Sequence, residues 1–140
     1  MKTKLASLMA VLAFFLVFAA GVQAAPAGKA TNIDGRVDIT PPGQSAKALA
    51  IGDTVNVGDV VRTKSASKCE ITWADGSIAR LAENSRLKVT EFMLTKENRS
   101  VSFNLFRGKM HNIVSSITSL FGAKGSSKYE VHTPTSVCGV

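Results

Sequence analysis

Residues able to do chemistry are few in this 140-residue chain, and their spacing gives catalysis little support. His132 and Cys138 stand six positions apart and are the pair a thiol nucleophile and its base would need. That chemistry requires the base within hydrogen-bond reach and a third group to orient it, and no companion acid is indicated. His132 falls on the polar side of an alternating run, where a solvated imidazole is expected. His111 is isolated beside a strand, and one or two histidines without a cysteine or acid cluster do not make a zinc site. Four acids adjoin glycines, in Asp34-Gly35, Gly52-Asp53, Gly58-Asp59 and Asp75-Gly76. A calcium site gathers its oxygens in one short run. These acids are spread over four turns, so they read as turn formers whose carboxylates cap their own backbone, with Gly108 as a further turn position. Neither a metal nor a cofactor is expected.

The basic residues make a stronger case. Lys64, Lys68, Arg80, Arg86, Lys88, Arg107 and Lys109 form a candidate basic surface. Such charges raise the rate of association with acidic partners, in a salt-dependent way. The targets would be anionic headgroups, an acidic envelope polymer or an acidic protein face; a plainly solvated surface is the competing reading, because the ten acids are interspersed. Nucleic acid is disfavoured by the export signal described next and by the single Trp and single Tyr available for stacking. Trp73 shares the parity of Ile71, which places it in a core rather than on a sugar platform.

Those residues need an address and a scaffold. Met1 to Lys4 is short and basic, Leu5 to Ala20 is apolar, and Gly21-Val22-Gln23-Ala24 closes the run with small residues before Ala25-Pro26. This is the three-part pattern of an exported precursor, with cleavage after Ala24. An uncleaved leader is the one route to membrane contact. Cleavage leaves 116 residues and lowers the formal charge from +7 to +5, because Lys2 and Lys4 depart. That length suits one domain and excludes a large multidomain enzyme. The expected location is the periplasm, where two cysteines can oxidise. A Cys69–Cys138 bridge would close a long loop and contribute about 4 kcal/mol by chain entropy if geometry permits; two buried thiols or one incidental bridge is the plainer reading.

The mature chain is read as a flexible lead-in over 25–29 followed by one domain over 30–140. Short runs alternate at a period of two: Cys69, Ile71 and Trp73; Leu87 and Val89; Val101, Phe103 and Leu105; Tyr129 and Val131. Residues spaced this way share a hydrophobic layer only if the backbone is extended. Gly and Asp turns separate the runs, and Asp34-Gly35 is a favoured hairpin pair. The fold class is therefore all-β, a small single domain of short antiparallel strands forming a sandwich, a barrel or a solenoid-like stack. Met110 to Phe121 reads as a strand to about Val114, then a short helix or irregular arm, with a mobile loop over Ala123 to Ser127.

One order of short motifs runs through the chain. Gly35-Arg36-Val37 precedes Ile51-Gly52-Asp53-Thr54-Val55 and Val57-Gly58-Asp59-Val60-Val61-Arg62-Thr63. Then follow Asp75-Gly76-Ser77, Arg80-Leu81, Asn84-Ser85, Leu105-Phe106-Arg107-Gly108-Lys109, and Val131-His132-Thr133-Pro134-Thr135-Ser136-Val137-Cys138-Gly139-Val140. This series resembles the FecR domain over about residues 30–140. The family pattern continues past the last valine with Arg-Gly-Thr and further strand, so the resemblance implies that a final strand is missing here, either because the sequence is a fragment or because a partner supplies that strand. In the regulator that names the family, a cytoplasmic part and a transmembrane helix precede the domain. Here only Met1 to Lys4 precede the apolar run, and a sigma-regulating role gains no support. The resemblance implies a stand-alone, non-catalytic envelope domain that binds a protein or an acidic envelope polymer. The alternatives are an accessory of envelope signalling that contacts a membrane receptor, and a small exported hydrolase using His132 or the acids.

Overall fold

The computed structural model describes residues 25–95, 98–114 and 126–139. The leader and the arm expected after Val114 lie outside the described residues. The strands are β1 (Pro26–Asp34), β2 (Val37–Thr40), β3 (Lys47–Ala48), β4 (Thr54–Asn56), β5 (Val60–Thr63) and β6 (Lys68–Trp73). They continue with β7 (Ile78–Leu81), β8 (Arg86–Leu94), β9 (Asn98–Arg107), β10 (Met110–Ile113), β11 (Ser126–His132) and β12 (Val137–Gly139). Two sheets result, ordered β10-β7-β6-β1-β4 and β12-β11-β9-β8-β5-β2-β3. The domain is all-β and of sandwich type.

Alternation in the sequence becomes burial in the structure. Cys69, Ile71 and Trp73 of β6 are buried, as are Leu87 and Val89 of β8 and Val101, Phe103 and Leu105 of β9. The two inner faces share one apolar cluster. At its centre the Trp73 ring lies 4.6 Å from that of Phe103, and Phe103 meets Tyr129 edge-on at 5.6 Å. Aromatic pairs at such separations add to the burial term. One ion pair is also buried: Arg99 of β9 meets Asp75, in the β6–β7 turn, at 2.5 Å and so ties the two sheets together.

Through described residues, the chain passes from sheet to sheet between β1 and β2, β3 and β4, β4 and β5, β5 and β6, β7 and β8, and β9 and β10. Each of these crossings contains one residue with positive φ, in order Gly35, Gly52, Gly58, Ala66, Asn84 and Gly108. Gly108 shows why. Its φ is 94°, and a Cβ there would land on the side chain of Ser85 in the neighbouring corner. Asn84 holds φ 54° without being glycine, as asparagine tolerates this region better than most residues do.

Four expectations are corrected. Asp34-Gly35 is not a hairpin: β1 pairs with β4 and β6, while β2 pairs with β3 and β5 in the other sheet. The segment 25–29 is not a flexible lead-in, since β1 begins at Pro26. Its small residues are small because the backbone presses on Trp73: a Cβ on Gly28 would come within 2.7 Å of the Thr72 carbonyl oxygen and of the Trp73 ring. The strands pair antiparallel as expected except that β11 runs parallel to β9 from Ser126↔Asn98 to His132↔Asn104; Ser126 and Ser127 accordingly belong to a strand rather than to the expected loop. Cys69 and Cys138 are unbridged, because Cys69 points into the core from β6 while Cys138 is exposed on the outermost strand of the other sheet.

Candidate functional site

Register in the seven-stranded sheet lines up a row of arginines. Asp38 of β2 stands opposite Arg62 of β5, Arg62 opposite Arg86 of β8, and Arg86 opposite Arg107 of β9. Neighbouring strands lie about 4.8 Å apart, so three guanidinium-bearing positions follow one another across the sheet. A register shift next to Arg86 inserts Phe106 as an extra residue in β9, since Arg86 faces Arg107 while Leu87 faces Leu105. Phe106 is 43% exposed. The Arg86 guanidinium sits 5.4 Å above its ring, a cation–π arrangement that holds the arginine in place.

Four corners are bound together beside this row. Lys64 N–H donates to the Arg36 carbonyl at 3.0 Å, and Asn84 N–H donates to the Lys64 carbonyl at 3.1 Å. Ser85 N–H donates to Thr63 Oγ1 at 2.9 Å, and Thr63 Oγ1 donates to the Ala82 carbonyl at 2.6 Å. Ser85 Oγ accepts from Lys109 N–H at 3.1 Å, which adds the β9–β10 corner. The hydroxyls satisfy backbone groups that sheet pairing leaves over at a change of sheet.

Row and corners together wall a groove of about 620 Å³ lined by Arg36, Arg62, Lys64, Arg86, Phe106 and Arg107, with Ser65 and Asn84 at its corner end. Lys64 is paired with Asp38 at 2.6 Å. Among the described residues, Arg36, Arg62, Arg86 and Arg107 have no carboxylate at ion-pair distance. Like charges directly opposite one another on adjacent strands destabilise a sheet. The arrangement suits holding an anion.

The structure divides the seven basic residues read from the sequence. Lys64, Arg86 and Arg107 line this groove. Lys68, Arg80 and Lys109 line a separate cavity of about 420 Å³ that also holds Asp34 and Glu70, which offset most of its positive charge. There Arg80 Nε donates to Glu70 at 2.7 Å and holds that carboxyl below its usual range. Lys88 lies outside both, opposite Val60 and Asn104. Arg36, Arg62 and Phe106 were missed. The available signal was that Arg62, Arg86 and Arg107 each adjoin an apolar run near a turn, so that correct pairing would align them.

The remaining candidates have other partners. Asp53 accepts from Ala50 N–H at 2.9 Å and Asp59 from Asn56 N–H at 2.8 Å, each closing its own turn. Asp75 accepts from both the N–H and the hydroxyl of Ser77 at 2.9 Å. Gly76 shares that hairpin. His132 Nε2 lies 3.2 Å from Glu130, and Cys138 stands opposite Val131 on β12. Among the described residues, no three or more of His, Cys, Asp and Glu are grouped so as to hold a metal ion.

Comparison with known proteins adds the following. The family described as FecR protein matches residues 59–140; the motifs around Gly35 and Gly52 precede the matched segment. No curated protein matches. A solved structure titled "Cell surface anchoring domain" is 24% identical with a TM-score of 0.46, over 48% of this chain and 88% of that one.

Proposed function

The chain belongs to the FecR family, and from that premise we propose that it is a non-catalytic binding domain of the bacterial envelope that recognises an acidic partner through the groove around Arg62, Arg86 and Arg107. Family membership and the exported-precursor pattern of residues 1–24 support a periplasmic location reached through a cleaved leader. The observation that carries the reading is the in-register arginine row. Three like charges aligned across adjacent strands cost stability in the free protein, and an anion from outside the chain offsets that cost.

Two measurements test it. Cell fractionation is expected to recover a species shortened by the leader in the periplasm; full-length protein in the cytosol contradicts the export part. Mature protein is then passed over beads carrying a carboxylate polymer or a phosphate polymer while salt is raised. Retention at low salt, lost as screening grows and absent in the R62Q/R86Q/R107Q variant, is the expected result. Retention by the triple variant equal to that of wild type removes the groove from the reading.

A further inference from the structure

The groove differs from a merely basic surface in three respects. Its guanidinium-bearing side chains come from three neighbouring strands and so stand side by side on one face of the sheet, within reach of a common ligand. An exposed aromatic ring, Phe106, lies inside the positive field and is covered on one side by Arg86. Its corner end carries Ser65 and Asn84, whose side chains offer a hydroxyl and an amide.

These features select among anions. A carboxylate is planar, carries one charge and is satisfied by a single arginine fork. A phosphate monoester carries between one and two charges near neutral pH and presents three acceptor oxygens in tetrahedral directions. Neighbouring arginine forks can each take different oxygens of that group, and Arg–phosphate pairs are commonly bidentate. An exposed aromatic face next to the charged group offers apolar area to the C–H face of a sugar ring.

Resting on the binding reading above, we infer that the groove takes a sugar phosphate of the envelope, with the phosphate among Arg62, Arg86 and Arg107 and the sugar ring against Phe106. Asn84 and Ser65 then face the sugar hydroxyls from the corner end.

Amide NMR titrations of the mature protein with inorganic phosphate, glucose 6-phosphate and glucuronate test this. Shifts are expected at residues 62–65, 84–86 and 106–107. Glucose 6-phosphate should bind at least about tenfold more tightly than glucuronate, as expected for bidentate phosphate recognition. Arg86→Gln should lose about tenfold for both phosphates. Arg86→Lys, which keeps the charge and loses the fork, should lose most of the preference for phosphate over carboxylate. Phe106→Ala should weaken glucose 6-phosphate while leaving inorganic phosphate unchanged. Glucuronate binding as tightly as glucose 6-phosphate, with both lost in Arg86→Gln, overturns the phosphate assignment and leaves the anion-binding reading standing. Equal affinities for phosphate and glucose 6-phosphate, untouched by Phe106→Ala, overturn the sugar. No shift at the groove with any probe overturns both readings together.

Discussion

At the scale of single residues, the two cysteines show how environment sets chemistry. Cys69 is 3% exposed; burial, and secondarily the charge of Glu70, push its thiol up to about 12 from an ordinary 9.0. Cys138 is exposed on β12. An alkylating reagent at mildly alkaline pH should therefore label Cys138 in the folded protein and reach Cys69 only after denaturation. The same shift gives a pH dependence. Between pH 9.0 and about 12 the unfolded chain has released the Cys69 proton while the folded chain keeps it. The unfolded state binds fewer protons there, so stability is full below 9.0 and declines as pH rises, by about 1.4 kcal/mol per unit. Tyr129, buried beside Asp75, is shifted in the same direction, so the comparison must be made with Cys69→Ala. Urea denaturation over the alkaline range should give a shallower decline for that variant, whatever its stability at neutral pH. Parallel declines would show that the thiol does not feel its burial.

At the scale of elements, the corners carry more of the structure than the hairpins do. Ser85 is fully buried between the corners after β7 and β9; its hydroxyl accepts from Lys109 N–H and donates to the Lys109 carbonyl at 3.2 Å. Ser85→Ala removes the partner of that part-buried N–H, a cost of about 0.5–1.5 kcal/mol, which the urea midpoint would report; a loss under a few tenths would mean that the corners are held by backbone pairing alone. These corners also mark the limit of what the sequence discloses. The inward sets Ile71-Trp73, Leu87-Val89 and Val101-Phe103-Leu105 were legible because a period of two has one structural reading once a core exists. Whether the chain folds back at Asp34-Gly35 or crosses to the other sheet was not, because both need a positive φ and the same residue types satisfy it. The groove was half legible for the same reason. Lys64, Arg86 and Arg107 stand out as basic residues, but only the β5–β8–β9 pairing brings Arg62 beside them, and only the register shift in β9 exposes Phe106. β1 was read late because Ala27 and Gly28, buried against Trp73, have the composition of a linker.

At the scale of the whole molecule, charge and fold pull in opposite directions. The chain carries a formal +7, or +5 without its leader, and the sandwich places part of that excess in one row on the seven-stranded sheet. If the row serves a ligand rather than the fold, removing a member should stabilise the free protein. Arg107 is the discriminating position, because it faces Arg86 across the strands and has no carboxylate at ion-pair distance among the described residues. Arg107→Gln is expected to raise stability by about 0.2–1 kcal/mol at low salt. The gain should vanish as the screening length falls from about 30 Å at roughly 0.01 M to about 3 Å at roughly 1 M salt. Arg80→Gln is the counterpart, since it removes the partner of Glu70 at 2.7 Å and should leave stability unchanged or lower it by up to about 1 kcal/mol. Thermal unfolding of the two variants across a salt series separates the cases. Arg107→Gln less stable than wild type at every salt concentration would make the arginine row part of the fold's own support, and the argument from its cost to an external anion would fail.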